Sequence, residues 1–116
     1  MKKLLLSALF FLSFHVAFCQ SPNEIKLKKF NEEILIVRSY EGLLTRSKMS
    51  ISDGITEIES IKLKNIKPKN MDENLSIIVT VLNLIKKQGY ELTHTNSGGG
   101  SQNGVFITNY IFEKKE

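Results

Sequence analysis

The chain has 116 residues, with 16 basic and 12 acidic side chains, 41% hydrophobic residues and one cysteine. That length bounds it to one domain, and a lone cysteine excludes an internal disulfide framework. The basic excess does not by itself call for a nucleic-acid partner, because part of it lies in the first three residues.

Lys2 and Lys3 precede an apolar run from Leu4 to Phe18, broken mainly by Ser7, Ser13 and His15, and a polar segment starts at Gln20. A charged start, an apolar middle and a small-residue boundary predict a secretory signal peptide over residues 1–19. Cleavage is expected between Cys19 and Gln20, where Ala17 and Cys19 supply the small side chains. The alternative is a mature chain lipid-anchored at Cys19, which the bulky Phe18 disfavours. An uncleaved anchor ranks last, since the run is shorter than the ~20 apolar residues of a full span. The Lys-Lys start, Phe-rich core and Cys-Gln junction resemble export signals of Gram-negative bacteria of the Bacteroidota type. The expected location is therefore the periplasm or the extracellular space, with membrane contact only through residues 1–19 before cleavage. Removing them leaves 97 residues, 14 basic against 12 acidic, and no cysteine.

Residues 20–32 read as an N-terminal arm and 33–116 as one small domain. Within the arm, Ser21-Pro22-Asn23-Glu24 suits a helix start, while Ile25 and Leu27 alternating with Lys26 and Lys28 suit an extended arm. Glu33 to Glu41, with Ile34-Leu35-Ile36-Val37, predicts a buried strand ended by Gly42. Lys48 to Ser52 alternates, and Asp53-Gly54 signals a two-residue hairpin. A strand is expected from Ile55 to Lys64, with Ile61 and Leu63 on one side and Lys62 and Lys64 on the other. Ile58 is out of phase with Ile61, so a bulge is expected near Glu59-Ser60, and Pro68 ends the strand region.

The next element predicts a helix capped by Asn70, with Glu73 completing a capping box, and closed by Gly89. Asp72, Ser76, Thr80, Asn83 and Lys87 form a narrow polar stripe, and the broad apolar remainder predicts packing on more than one side. Tyr90 to Thr95 reads as a short strand, Asn96 to Gly104 as a glycine-rich loop, and Val105 to Glu113 as a final strand. The sum is an α+β fold, β-β-β-α-β-β, an antiparallel sheet of four to five strands with one long helix packed on it.

From Leu82 to Lys114 the pattern Leu-Asn-x-Ile-x-x-x-Gly-Tyr-Glu-Leu, a glycine-rich stretch, then Tyr-Ile-Phe-Glu-Lys resembles a small bacterial domain-of-unknown-function family. Its members carry a helix ending in Gly-Trp-Glu-Leu, a variable hairpin and a closing Tyr-x-Phe-x-basic strand. Here Tyr90 stands where that family usually has Trp, and three upstream strands replace one. The resemblance implies helix-then-hairpin architecture and no catalytic or binding residues.

No constellation for catalysis is legible. The glycine run 96–104 lacks the lysine and following helix of a phosphate loop. After cleavage His94 is the last histidine, without a second histidine or a cysteine to build a metal site; its functional reading is a pH-sensitive contact. Glu57 and Glu59 would share a strand face, an arrangement common on solvated surfaces. Lys62, Lys64, Lys67 and Lys69 form the densest basic stretch, read either as a solvated face or edge guard or as a dock for an acidic envelope partner. Without interleaved aromatics they do not suit single-stranded nucleic acid. Phe106, Tyr110 and Phe112 share a face that either packs under the helix or, if the helix covers Val105, Ile107 and Ile111, stays free for a partner. No cofactor is implied. The leading expectation is a non-catalytic binding or assembly module acting through the aromatic face or a free sheet edge on an envelope protein or a second copy. The runner-up is a small-ligand carrier or enzyme with its site at the last hairpin, around His94 and Tyr90.

Overall fold

A computed structural model describes residues 24–44, 46–100 and 104–116. The Cys19–Gln20 junction and Ser21-Pro22-Asn23 therefore lie outside the described residues. The strands are β1 (Ile34–Gly42), β2 (Lys48–Ser52), β3 (Glu59–Lys62), β4 (Tyr90–Gly100) and β5 (Val105–Lys114), with helix α1 (Pro68–Lys87) between β3 and β4. They form one antiparallel sheet in the order β3-β2-β1-β5-β4. The α+β order of the sequence reading is the order observed.

Alternation decides which face is buried. Leu35, Val37 and Ser39 of β1 are buried, and they stand opposite Phe112, Tyr110 and Thr108 of β5. Met49 and Ile51 of β2 join them, and α1 lays Ile78, Val81 and Ile85 over this face. The helix therefore covers the aromatic side of β5. Val105, Ile107 and Ile111 lie on the opposite, helix-free face with Ile34 and Ile36.

Several local expectations are corrected. The helix starts at Pro68 with Lys67 as its cap residue and no side-chain capping bond. Proline at the first helical position needs no partner for a missing N–H. Asn70 instead donates through Nδ2 to the Asn65 carbonyl, and Glu73 pairs with Lys64, so no capping box forms. The helix is packed along one side, with Met71, Leu75 and Val79 exposed. Gly89 ends it at φ +95°, as expected.

Asp53-Gly54 does not form a two-residue hairpin. The Asp53 carboxylate accepts from the Ile55 and Thr56 amides and the Thr56 hydroxyl, folding a longer connection from 53 to 58. Those bonds hold its pKa at about 2. Ile58 lies outside β3, which pairs with β2 without a register shift. The shift lies instead in β4, between Leu92 and His94. The first part of the glycine run, Asn96 to Gly100, is strand, with Ser97, Gly98 and Gly99 paired to Thr108, Ile107 and Phe106, and residues 101–103 lie outside the described residues. Gly99 sits at φ +136°, where a Cβ would collide with the Val105 carbonyl, so that pairing requires glycine.

The arm belongs to the fold. From Glu24 to Phe30 it has no helix, and Phe30 is buried in the core beside partly buried Ile25 and Leu27. The Gln88 side chain clamps it, accepting from the Phe30 amide (2.9 Å) and donating to the Lys28 carbonyl (2.9 Å). Tyr90 donates its hydroxyl to the Glu32 carbonyl.

Candidate functional site

Met71, Leu75 and Ile78 recur at helical spacing and form one wall of a groove. Phe106 and Tyr110 of β5 form its floor, and Glu41, Ile66, Asp72 and Asn74 complete the lining around a volume of about 540 Å³. That volume lies in the range of pockets that take small ligands or single side chains. The interior is apolar and the two charged residues in its lining, Glu41 and Asp72, are acidic. Phe106 is 46% exposed because its neighbour across the pair is Gly99, which offers no side chain.

A buried asparagine fixes the helical wall. Asn74 accepts from the Lys64 amide (3.0 Å) and donates to the Lys64 carbonyl (2.7 Å). It thereby acts as a substitute strand partner for the chain just beyond β3 and ties that chain to α1. Tyr110 is partly buried, and burial raises its phenol pKa above 10.0 against the effect of a hydrogen bond with Ser39. Tyr90 is also raised, by burial first and by the Glu32 charge second.

Past Tyr110 the next strand is the sheet edge. Thr95 and Ser97 stand opposite Tyr110 and Thr108 on the groove side of β4, and both are exposed. The inner half of this edge is interrupted by the register shift at Thr93, whose hydroxyl donates to the Ile111 carbonyl. From Thr95 to Gly100 there is no charge, proline or register shift to discourage pairing. The other edge is guarded. Strand β3 is four residues long with charges at both ends, and the Lys28 amide and ammonium bind Glu59, Thr56 and Glu57 beside it.

The sequence-predicted residues separate. Phe112 is fully buried core, Tyr110 half-buried groove floor, and Phe106 its exposed end. The register shift turns His94 onto the helix-free face opposite Ile111, whereas Tyr90 is buried under the helix. The last hairpin therefore does not bring His94 and Tyr90 together. Lys62 faces the helix-free side opposite Lys48. Lys64 follows the end of β3 and pairs with Glu73 at 2.7 Å. Sequence reasoning missed Asn74, Met71 and Leu75 as groove residues, and the ladder in which Asn109 accepts from Arg38 and donates to Asn96. Among the described residues no group of three His, Cys, Asp or Glu could hold a metal ion, and no helix is long and apolar enough to cross a membrane.

Among the described residues the groove and the outer half of β4 lie side by side on one α+β domain. Comparison with protein-family models, with curated proteins and with solved structures finds no match to this chain.

Proposed function

We propose that the protein is an exported, non-catalytic binding module that takes an extended polypeptide segment of an envelope protein along the outer half of β4. The carrying observation is the juxtaposition of that unguarded edge with an apolar groove floored by Phe106 and Tyr110. Backbone hydrogen bonds along the edge would supply affinity, and the groove would select an apolar side chain. Glu41 and Asp72 favour a segment with a basic residue beside the apolar one. The lysine-led apolar run over residues 1–19 supports export.

The test is native mass spectrometry of the chain recovered at low salt from its own host's envelope, with amide exchange on any complex. The expected result is a retained polypeptide that protects the Thr95–Gly100 amides and is lost from the Phe106→Asp and Ser97→Lys variants. A bare chain, or a retained polypeptide that leaves those amides exchanging freely, refutes the reading.

A further inference from the structure

Three backbone hydrogen bonds gather separate connections at one end of the sheet. The Leu43 amide donates to the Gly104 carbonyl (2.9 Å), Leu63 to Ser47 (3.0 Å) and Ile66 to Gly42 (3.0 Å). The end so built carries Leu43 and Leu44 on the β1–β2 connection, and Leu44 is 97% exposed. Arg46, Lys48 and Lys62 gather at this end, and Lys67 and Lys69 follow Ile66 in the chain; all five are exposed. Lys48 lies directly opposite Lys62, a like-charge cross-strand pair that is destabilising in isolation. A hollow of about 550 Å³ beside them is lined by Arg46, Lys48, Lys62, Ser60 and Asn65 among others, with no acidic residue. Among the described residues the one ion pair is Lys64–Glu73, so none of these five cations is held by a carboxylate. Glu41 and Asp72 line the groove, and Glu73 is taken by Lys64. Asp53, Glu57 and Glu59 sit at the far end of β2 and β3.

We infer that this end of the sheet docks on an anionic lipid bilayer. Leu43 and Leu44 enter the headgroup boundary while the surrounding cations meet lipid phosphates. The leucines decide between a bilayer and a soluble polyanion, because a polyanion offers Leu44 nothing apolar to bury against. The lysine stretch read from the sequence thus divides: Lys64 is taken by Glu73, while Lys62 and Lys67–Lys69 join Arg46 and Lys48 on this end.

The test places a polarity-sensitive fluorophore at Leu44→Cys in a Cys19→Ser background, Cys19 being the chain's only cysteine. Ile55→Cys is the control, an exposed apolar residue at the opposite end of β2. With vesicles of phosphatidylglycerol and phosphatidylcholine at low salt, the expected result is a blue shift at position 44 and none at 55. Vesicles of phosphatidylcholine alone should give neither. Replacing Arg46, Lys48 and Lys62 by Gln should weaken partitioning about 5-fold per cation. No shift at 44, an equal shift at 55, or an equal response to uncharged vesicles overturns the proposal. So does binding of dextran sulfate that matches the vesicles in affinity. The readout needs no occupant in the groove, so its failure and that of the polypeptide reading are separately visible.

Discussion

Replacing Asn74 by Ala removes both hydrogen bonds that join α1 to the Lys64 backbone. Each is worth about 1 kcal/mol net, and alanine's better helix propensity returns roughly 0.5 kcal/mol. Lost packing of a side chain only 2% exposed adds to the cost. Lys64 is itself exposed, so water can reach its freed amide and carbonyl, and the full penalty for stranded groups does not apply. The expected loss is about 2 kcal/mol, a fall in Tm of roughly 8–16 °C for a domain of this size. Lys64→Met is the internal comparison. It removes the Lys64–Glu73 ion pair, whose side chains are 57% and 38% exposed, but keeps the backbone groups that Asn74 holds. Its expected cost is under about 1 kcal/mol. Asn74→Asp supplies a signature that lost volume would not. Its carboxylate accepts from the Lys64 amide but repels the Lys64 carbonyl, and protonation restores a donor. Burial raises such a carboxyl's pKa, so this variant should gain stability relative to the parent as pH falls from neutral towards 4. Thermal unfolding followed by circular dichroism checks all three. A cost for Asn74→Ala no larger than for Lys64→Met, or an Asn74→Asp variant indifferent to pH, refutes the clamp.

Phe106→Asp, which sets a carboxylate opposite Glu41, should cost about 1 kcal/mol, whereas Phe112→Ala should cost about 3–5 kcal/mol; equal urea midpoints for the two would contradict the division of the aromatic face. The Asp53 carboxyl, lowered from 3.8 to about 2 by Thr56 and the Ile55 and Thr56 amides, contributes stability above pH 3.8 that is lost as pH falls towards 2. An NMR titration of Asp53 centred at 3.8 would disprove that turn. Tyr90 and Tyr110 keep their protons above pH 10.0 in the folded chain, so stability should fall as pH rises past that value, where the unfolded chain loses them. A urea midpoint unchanged between about pH 9 and about pH 11 would count against it. Tyr90→Phe, which deletes the bond to the Glu32 carbonyl, should cost about 1 kcal/mol by the same measurement.

The element order was legible because its signals are local. Ile34 to Val37 supplies three β-branched side chains in four residues, Gly89 stops the helix, and the alternation from Val105 to Phe112 marks β5. What stayed hidden depends on partners remote in sequence. The helix is apolar around most of its circumference, so periodicity could not distinguish the side that buries Ile78, Val81 and Ile85 from the side that leaves Leu75 and Val79 exposed. Glycine disfavours strands, yet Ser97 to Gly99 is strand because β5 continues opposite it. The shift at Thr93 reverses the parity of everything beyond it. Tyr90 and His94 would share a face on an unbroken strand, and here they do not.

The candidate sites were hidden for the same reason, and more completely. Lys48 and Lys62 are far apart in the chain and become neighbours only through the β2–β3 register. Shifting β3 by one residue against β2 would put Lys48 opposite Ile61 or Leu63 and turn Ile61, which packs against the core, to the helix-free face, so the packing of Ile61 also enforces the charge pairing. Asn74 works the same way: holding Lys64 against the helix directs the chain through Ile66 to Gly42, beside Leu43. The clamp that sets the groove wall therefore also positions the charged end. Weakening it should disturb both surfaces, whereas removing Phe106 or the exposed cations should disturb one each.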